Sequence, residues 1–434
     1  MWTAIGIVLF LFGLLIAIAW HEAGHLAFAK LFKVRTTQYM VGFGKTIWSR
    51  TKGETEYGIK AIPLGGYVRM VGMVPPGKDG RQRINSTSAG PWGMVRQMIE
   101  DARQGDRVQV RVEDDGRQFY QLHPFKRIII MFAGPLQNLI FAVILFAIIV
   151  LGIGLPTAVP VVGSVSQCVL PATAAPQTCP VDYTPTPAAA AGLLPGDRIV
   201  AFDGQQITSW DQMRDLIRAD AGRTVEVTYV RDGQSISAQI PIVQNTLNVF
   251  DDTGKVVGTT TGGFLGITAA EEYQTQSVGE AFVLTGEFIG RAAHAVVSIP
   301  ARIPALWDAV FNGAERGQDS PVGIVGAGRI SGEILALDTG AKDKILLFLQ
   351  LLAGFNMSLF LLNMIPLLPL DGGHILGAVI EWIRRGWSKL RRKPNPGPFD
   401  VAKLMPVAYV VVLLFIGLSL LTFVADIVNP VTLS

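Results

Sequence analysis

The sequence predicts a polytopic α-helical membrane protein with four transmembrane helices, a β-hairpin on the cytoplasmic side and an extracytoplasmic α+β domain. Three observations predict it. Apolar residues bunch into four long runs free of Asp, Glu, Lys and Arg, at 1–20, 128–181, 345–370 and 404–425. Lys and Arg concentrate in two of the connecting segments. Between 186 and 245, strand-like and helix-like patterns alternate with turn signals.

A spanning helix needs about 20 mainly apolar residues. The four runs place spans near 4–27, 128–152, 345–364 and 405–426. Only 16% of the 434 residues are charged, against about 25% in soluble proteins, so the apolar runs are not offset by charge elsewhere. The first run has no basic flank and no small-x-small cleavage site, and is read as a retained helix rather than a signal peptide. A net charge of +3 gives no basis for a nucleic-acid partner; the lipid bilayer is the partner expected.

Orientation follows from the cations. Residues 33–127 hold 17 of the 37 Lys and Arg, and the short stretch 384–403 holds 7, whereas 152–341, the longest segment, holds 10. Short basic loops favour the cytoplasmic side. Both termini are therefore expected outside, and the long middle segment with them. The two cysteines, Cys168 and Cys179, lie in that segment, where an oxidising exterior lets them pair as a disulfide.

The remaining organisation is as follows. Residues 57–70 (YGIKAIPLGGYVRM) read as a hairpin turning near 63–66, followed by an insertion at 73–120 with a helix near 92–103 and a strand near 107–113. Residues 153–185, rich in Ala, Pro and Thr, read as an extended linker. The block 186–245 carries a helix at about 209–219 and strands near 224–231 and 235–242 flanking Arg231-Asp232-Gly233. Residues 246–340 read as an amphipathic helical region, in which the pattern at 278–311 forms one long helix. The third span region runs 341–374, and 375–403 is a basic cytoplasmic segment.

The chemistry begins at His21-Glu22-Ala23-Gly24-His25. Residues four apart share a helix face, so His21 and His25 can hold one zinc ion, with Glu22 beside it as the acid/base. Zinc wants a third protein ligand and an open position. Asp371 follows the third span directly, and spans one and three run in the same direction, so His21, His25 and Asp371 can meet near the cytoplasmic face. A solvated Asp capping the next helix is the competing reading of Asp371. His374 is assigned a supporting or capping role, and His123 and His294 are read as ordinary histidines. Asn363 and Asn138 have two readings: hydrogen bonds to a substrate backbone or transition-state oxygen, or glue between helices. Two His and one carboxylate also suit iron; the Glu between the His favours zinc and hydrolysis.

HEAGH in a first span, Ala-Gly-Pro-x-x-Asn at 133–138 and Asn-x-x-Pro-x-x-Pro-Leu-Asp-Gly-Gly at 363–373 resemble the site-2 proteases, and the bacterial regulator of sigma-E protease branch in particular. YGIKAIPLGGYVRMVG, PFKRIIIMFAGPLQN and residues 320–324 (SPVGI) are similar to further stretches of that branch. The resemblance implies zinc ligands at His21, His25 and Asp371, a catalytic Glu22, and substrate backbone held by Asn363. It implies that 57–70, with Gly65 and Gly66, is a membrane-re-entrant β loop offering an edge to unwound substrate. The block 186–245, through Ala-Gly-Leu-x-x-Gly-Asp-x-Ile, resembles a PDZ domain. One PDZ domain where proteobacterial members carry two, and the 73–120 insertion, resemble the actinobacterial branch. The implied activity is intramembrane cleavage of single-pass membrane proteins, such as trimmed anti-sigma factors and signal-peptide remnants, in a bacterial plasma membrane. A non-catalytic PDZ scaffold and a metal transporter are the alternatives.

Overall fold

The computed structural model describes residues 2–75, 111–171, 179, 181–250 and 256–432; the helix expected near 92–103 lies outside them. The chain divides into two compact units, Met1–Gly152 with Ser277–Ser434, and Ile153–Gln276.

In the first unit, α1 (Trp2–Leu31) is followed by β1 (Thr36–Lys52), β2 (Thr55–Met70) and α2 (Pro124–Ala147). α2 runs on through a π-helical turn to Ile153. The β region is not the hairpin expected within 57–70. Residues 38–41 face two partners, 66–69 on one side and 56–59 on the other. The first part of β1 therefore lies between the two halves of β2, which do not pair with each other. The bend that allows this sits at Gly42 and Gly44, with φ of 95° and 81°, a region open to glycine without steric cost. The hairpin that does form joins 46–52 to 55–60. Of the strand expected near 107–113, residues 107–110 lie outside the described residues, and 112–113 belong instead to a 3-10 turn, Val112–Asp114.

The second unit is built on an antiparallel sheet. Its elements are β3 (Leu155–Val165), α3 (Pro187–Ala190), β4 (Arg198–Phe202), β5 (Gln205–Gln206), α4 (Trp210–Ala219), β6 (Thr224–Arg231), β7 (Gln234–Pro241), β8 (Val243–Phe250), β9 (Val256–Phe264) and β10 (Ile267–Gln274). The strand order is β10-β3-β4-β6-β7, with β5 on β4 and a separate β8-β9 ladder. Met213 and Ile217 of α4 pack on Ile199, Phe202, Val225 and Val227. Ser209 caps α4 by accepting from the Gln212 amide. The β6–β7 turn has positive φ at Asp232 and Gly233, the geometry of a tight hairpin. The unit is larger than expected at both ends. β3 stands where a linker was expected; its Pro160 falls in the register slip between Val159 and Val162, where a missing N–H costs the ladder nothing. β8 to β10 stand where helix was expected, since pairing with β3 overrides the weak strand preference of the Ala and Glu in β10. Cys168 and Cys179 form a disulfide.

The chain then returns to the first unit with α5 (Val278–Val297), α6 (Ile299–Phe311), α7 (Ile324–Ala336), α8 (Ala341–Asn363), α9 (Asp371–Leu390) and α10 (Met405–Val428). The single helix expected over 278–311 is two helices bent by 60°. Pro300 at the start of α6 lacks the N–H that would continue α5. Among the described residues, four helices are long and apolar enough to cross a membrane: α1, α2, α8 and α10. Small residues bring them together. Ser331 of α7 donates to the Gly6 carbonyl at 2.7 Å, and a Cβ on Gly6 would lie 2.4 Å from the Ser331 carbonyl oxygen. At the end of α10, buried Asp426 pairs with buried Arg316 at 3.0 Å and accepts from the Gly323 and Gly326 amides, which caps α7.

Candidate metal centre

α1 supplies two imidazoles one turn apart, and α9 supplies the third donor from its first residue. His21 Nε2 lies 3.3 Å from His25 Nε2. Asp371 Oδ2 lies 3.4 Å from the former and 3.3 Å from the latter. These three atoms are the one group of converging His, Cys, Asp or Glu donors among the described residues.

The tautomer of His25 shows what the triangle is for. Its Nδ1 lies 2.8 Å from the Ile130 carbonyl oxygen of α2, which can only accept. A ring proton therefore sits on Nδ1, and with the ring neutral Nε2 is the nitrogen left to bind a cation beside Asp371. With both imidazoles neutral at Nε2, the three converging atoms are acceptors at van der Waals range or closer, an arrangement that a cation among them satisfies. The triangle's edges of 3.3–3.4 Å match three corners of a tetrahedron with arms of about 2.0–2.1 Å, the lengths of Zn–N and Zn–O bonds. The donor set thus fits zinc in chemistry and in size.

Close helix contact makes the triangle possible. A Cβ on Gly134 of α2 would lie 2.1 Å from His25 Nε2, and one on Gly24 would lie 2.4 Å from the Ala133 carbonyl oxygen. The bare backbone at 134 is the seat of the His25 ring. Pro135 follows, inside the helix and buried, where it removes one helical N–H. Asp371 reaches the centre because the segment after α8 breaks and turns through 364–370 before α9 begins. Gly372 and Gly373 pack against the carbonyls of Ile365 and Leu367, where no side chain would fit. α9 is held to α2 by buried Glu381, which pairs with buried Arg127, binds Arg385 at 2.6 Å and accepts from the Phe399 amide at 2.6 Å.

Glu22 is buried on α1 next to His21. The Val68 amide of β2 lies beside its carboxylate, so the strand at residues 66–70 borders it. Gly66 lies against it: a Cβ there would be 2.8 Å from Glu22 Cγ. Gly65 has a φ of 134° and packs under the Phe43 ring.

The other expected site residues are not among the three converging donors. Asn138 is buried on α2, and its Oδ1 has no hydrogen-bond partner. Asn363 is half-buried at the last residue of α8. His374 is outside the converging group, and its Nδ1 is buried without a partner. His123 caps α2, accepting from the Phe125 amide. Nothing in the sequence singled out Ile130, whose part is played by its backbone. Gly134 did carry a signal, a glycine placed before a mid-span proline.

The chain matches the model of Peptidase family M50 over residues 9–405. It is 34% identical to zinc metalloprotease Rip1 of Mycobacterium tuberculosis strain H37Rv over 438 residues, covering 99% of this chain and 98% of that one. Rip1 of Mycolicibacterium smegmatis is 32% identical over 447 residues, covering both chains fully. A putative zinc metalloprotease of Brucella suis is 26% identical over 87% of this chain.

Proposed function

We propose that this chain, which belongs to Peptidase family M50, is a zinc-dependent intramembrane endopeptidase that cuts the spanning segments of single-pass membrane proteins. The observation that carries this is the triangle of three acceptors on apolar helices, with Glu22 on the same helix and a bare strand edge against it.

His21, His25 and Asp371 would hold the zinc. A zinc ion there supplies Lewis acidity and brings the ionisation of a water close to neutral pH. Glu22 would take a proton from the attacking water and return it to the amide nitrogen as the C–N bond breaks and the water oxygen bonds to the carbonyl carbon. A substrate helix hides its peptide bonds and must unwind. The edge at residues 66–70 then offers backbone pairing to the extended segment, and Gly65 and Gly66, which lack side chains, let this strand pass close to Phe43 and Glu22. Asn363 and Asn138 are assigned to substrate backbone or to the developing oxygen charge. Ionisable groups at membrane depth are costly and mark function.

The excess of Lys and Arg in 33–127 and 384–403 supports a multi-pass arrangement in the bacterial plasma membrane. Both termini lie outside in it, with the centre near the cytoplasmic side. The block 186–245, within the unit Ile153–Gln276, is assigned as a PDZ domain that screens substrates outside the membrane. Anti-sigma factors already trimmed outside, and signal-peptide remnants, fit the required shape: one span with a small outer remnant. A transporter would need successive metal sites, and the described residues hold one.

The test is cleavage of a single-span model substrate by the purified full chain, with zinc measured on the same preparations. Glu22→Gln should keep its zinc and lose at least about 100-fold in rate. Full activity in that variant removes Glu22 as the base; a zinc-loaded wild type that never cleaves favours the scaffold.

A further inference from the structure

The helix that begins with Asp371 carries a second, unpartnered face. On α9, Gly377, Ala378 and Glu381 are buried. Leu376, Ile380, Ile383, Trp387 and Leu390 recur at intervals of three or four, which places them on one stripe. Four of the five are exposed: Leu376 at 38%, Ile383 at 65%, Trp387 at 55% and Leu390 at 77%. A stripe of that size on a soluble surface would be an interaction site.

Charge and tethering say what covers it. Residues 382–399 contain six cations and no acid. Arg385 is bound to Glu381, whereas Arg384, Lys389, Arg391, Arg392 and Lys393 are exposed. Arg391 lies over the Trp387 ring at 4.4 Å, which sets its charge at the border of the stripe. Both ends of α9 lead into spans, α8 ending at Asn363 and the fourth span starting at Val401. The helix is thus fixed at one face of the bilayer. Trp382 packs on Phe125, at the start of α2, with ring centroids 5.8 Å apart, giving the aromatic border typical of that depth.

We infer that α9 is an interfacial helix whose apolar stripe enters the lipid while its unpaired cations bind the phosphates of anionic phospholipids. Zwitterionic lipid accepts the stripe but supplies no net charge for the cations. The inference rests on α8 and α10 spanning a bilayer and not on proteolysis, so its test reads lipid contact rather than cleavage.

The experiment is hydrogen exchange of residues 380–392 in the full chain, in nanodiscs of phosphatidylcholine alone and of phosphatidylcholine with phosphatidylglycerol. In the mixed discs exchange should slow by about tenfold or more, as expected for several cations at an anionic surface. Arg384→Gln with Arg391→Gln should remove most of that slowing while zinc content stays unchanged. Ile383→Glu should raise exchange in both kinds of disc. Equal exchange of the wild type in the two lipids overturns the inference, and so does full slowing in the double Gln variant. An Ile383→Cys chain that forms disulfides between copies in the discs also overturns it, since a second copy would then cover the stripe.

Discussion

Gly134→Ala tests the way the fold seats His25, the proposed zinc ligand. The added Cβ would lie 2.1 Å from His25 Nε2 and 2.6 Å from Cδ2 and Cε1. Carbon and its non-bonded neighbours rest at about 3.5–4.0 Å, so the ring must retreat by more than about 1 Å. Metal–ligand distances tolerate about 0.2 Å. The ring cannot swing away freely, because its Nδ1 is bonded to the Ile130 carbonyl. Losing that bond also frees the tautomer. Removing a group that orients a ligand typically costs 10–100-fold in metal affinity; displacing the ligand itself should reach or exceed the top of that range. The assay is zinc affinity of the purified chain by chelator competition, read beside thermal stability. Gly6→Ala is the control. It makes an equally close clash, 2.4 Å from the Ser331 carbonyl oxygen, at a helix crossing that holds no donor. It should lower stability and leave zinc affinity within about twofold, the scatter expected of distant sites. Wild-type zinc affinity in Gly134→Ala would refute the seat, and equal zinc loss in both variants would reduce it to general helix packing.

Three further outcomes follow from the structure. Val68→Pro removes the amide that reaches Glu22 while a strand edge accommodates the ring; cleavage should fall by about tenfold or more with zinc retained, and unchanged kcat/KM would contradict the edge's role. Glu381→Leu leaves buried Arg127 without its carboxylate; loss of one partner of a buried pair costs about 3–5 kcal/mol, so the melting temperature in detergent should drop and zinc should be lost earlier on heating. In the sheet unit, Arg231 binds Asp197 through Nε and Nη2, both at 2.7 Å, which holds that carboxyl below its ordinary value of 3.8. The folded form then binds fewer protons than the unfolded one. The stabilisation is complete above the ordinary value and fades as pH falls through the lowered one. Hydrogen exchange of residues 198–231 in the full chain should rise across that acid range in the wild type, with a flatter dependence in Asp197→Asn; identical pH profiles would contradict it.

The membrane architecture was legible because it rests on composition alone: four charge-free runs became the four helices long and apolar enough to span. The metal triangle was legible because helical spacing puts His21 and His25 on one face, and because two spans in the same direction bring Asp371 to the same end. The β regions were less legible. In 36–70 the pairing is decided by a bend at Gly42–Gly44, and a strand that pairs on both sides leaves no local mark to separate it from a simple hairpin. In 155–165 the prolines suggested a linker, yet Pro160 sits where the ladder slips and Pro156 pairs near the start of the strand. In 267–274 the residues ITAAEEYQ have weak strand character, and only the distant β3 makes them a strand. The features that trim the centre were also hidden. Ile130 acts through its carbonyl, and the Arg127–Glu381 pair joins residues far apart in the chain.

The most direct measurement of the central claim is the zinc affinity of full-length Asp371→Ala against the wild type. If the carboxylate joins the two imidazoles around one ion, affinity should fall by more than about 100-fold, beyond the loss caused by removing a merely supporting group. Wild-type affinity in that variant would contradict the account, because Asp371 would then be no ligand.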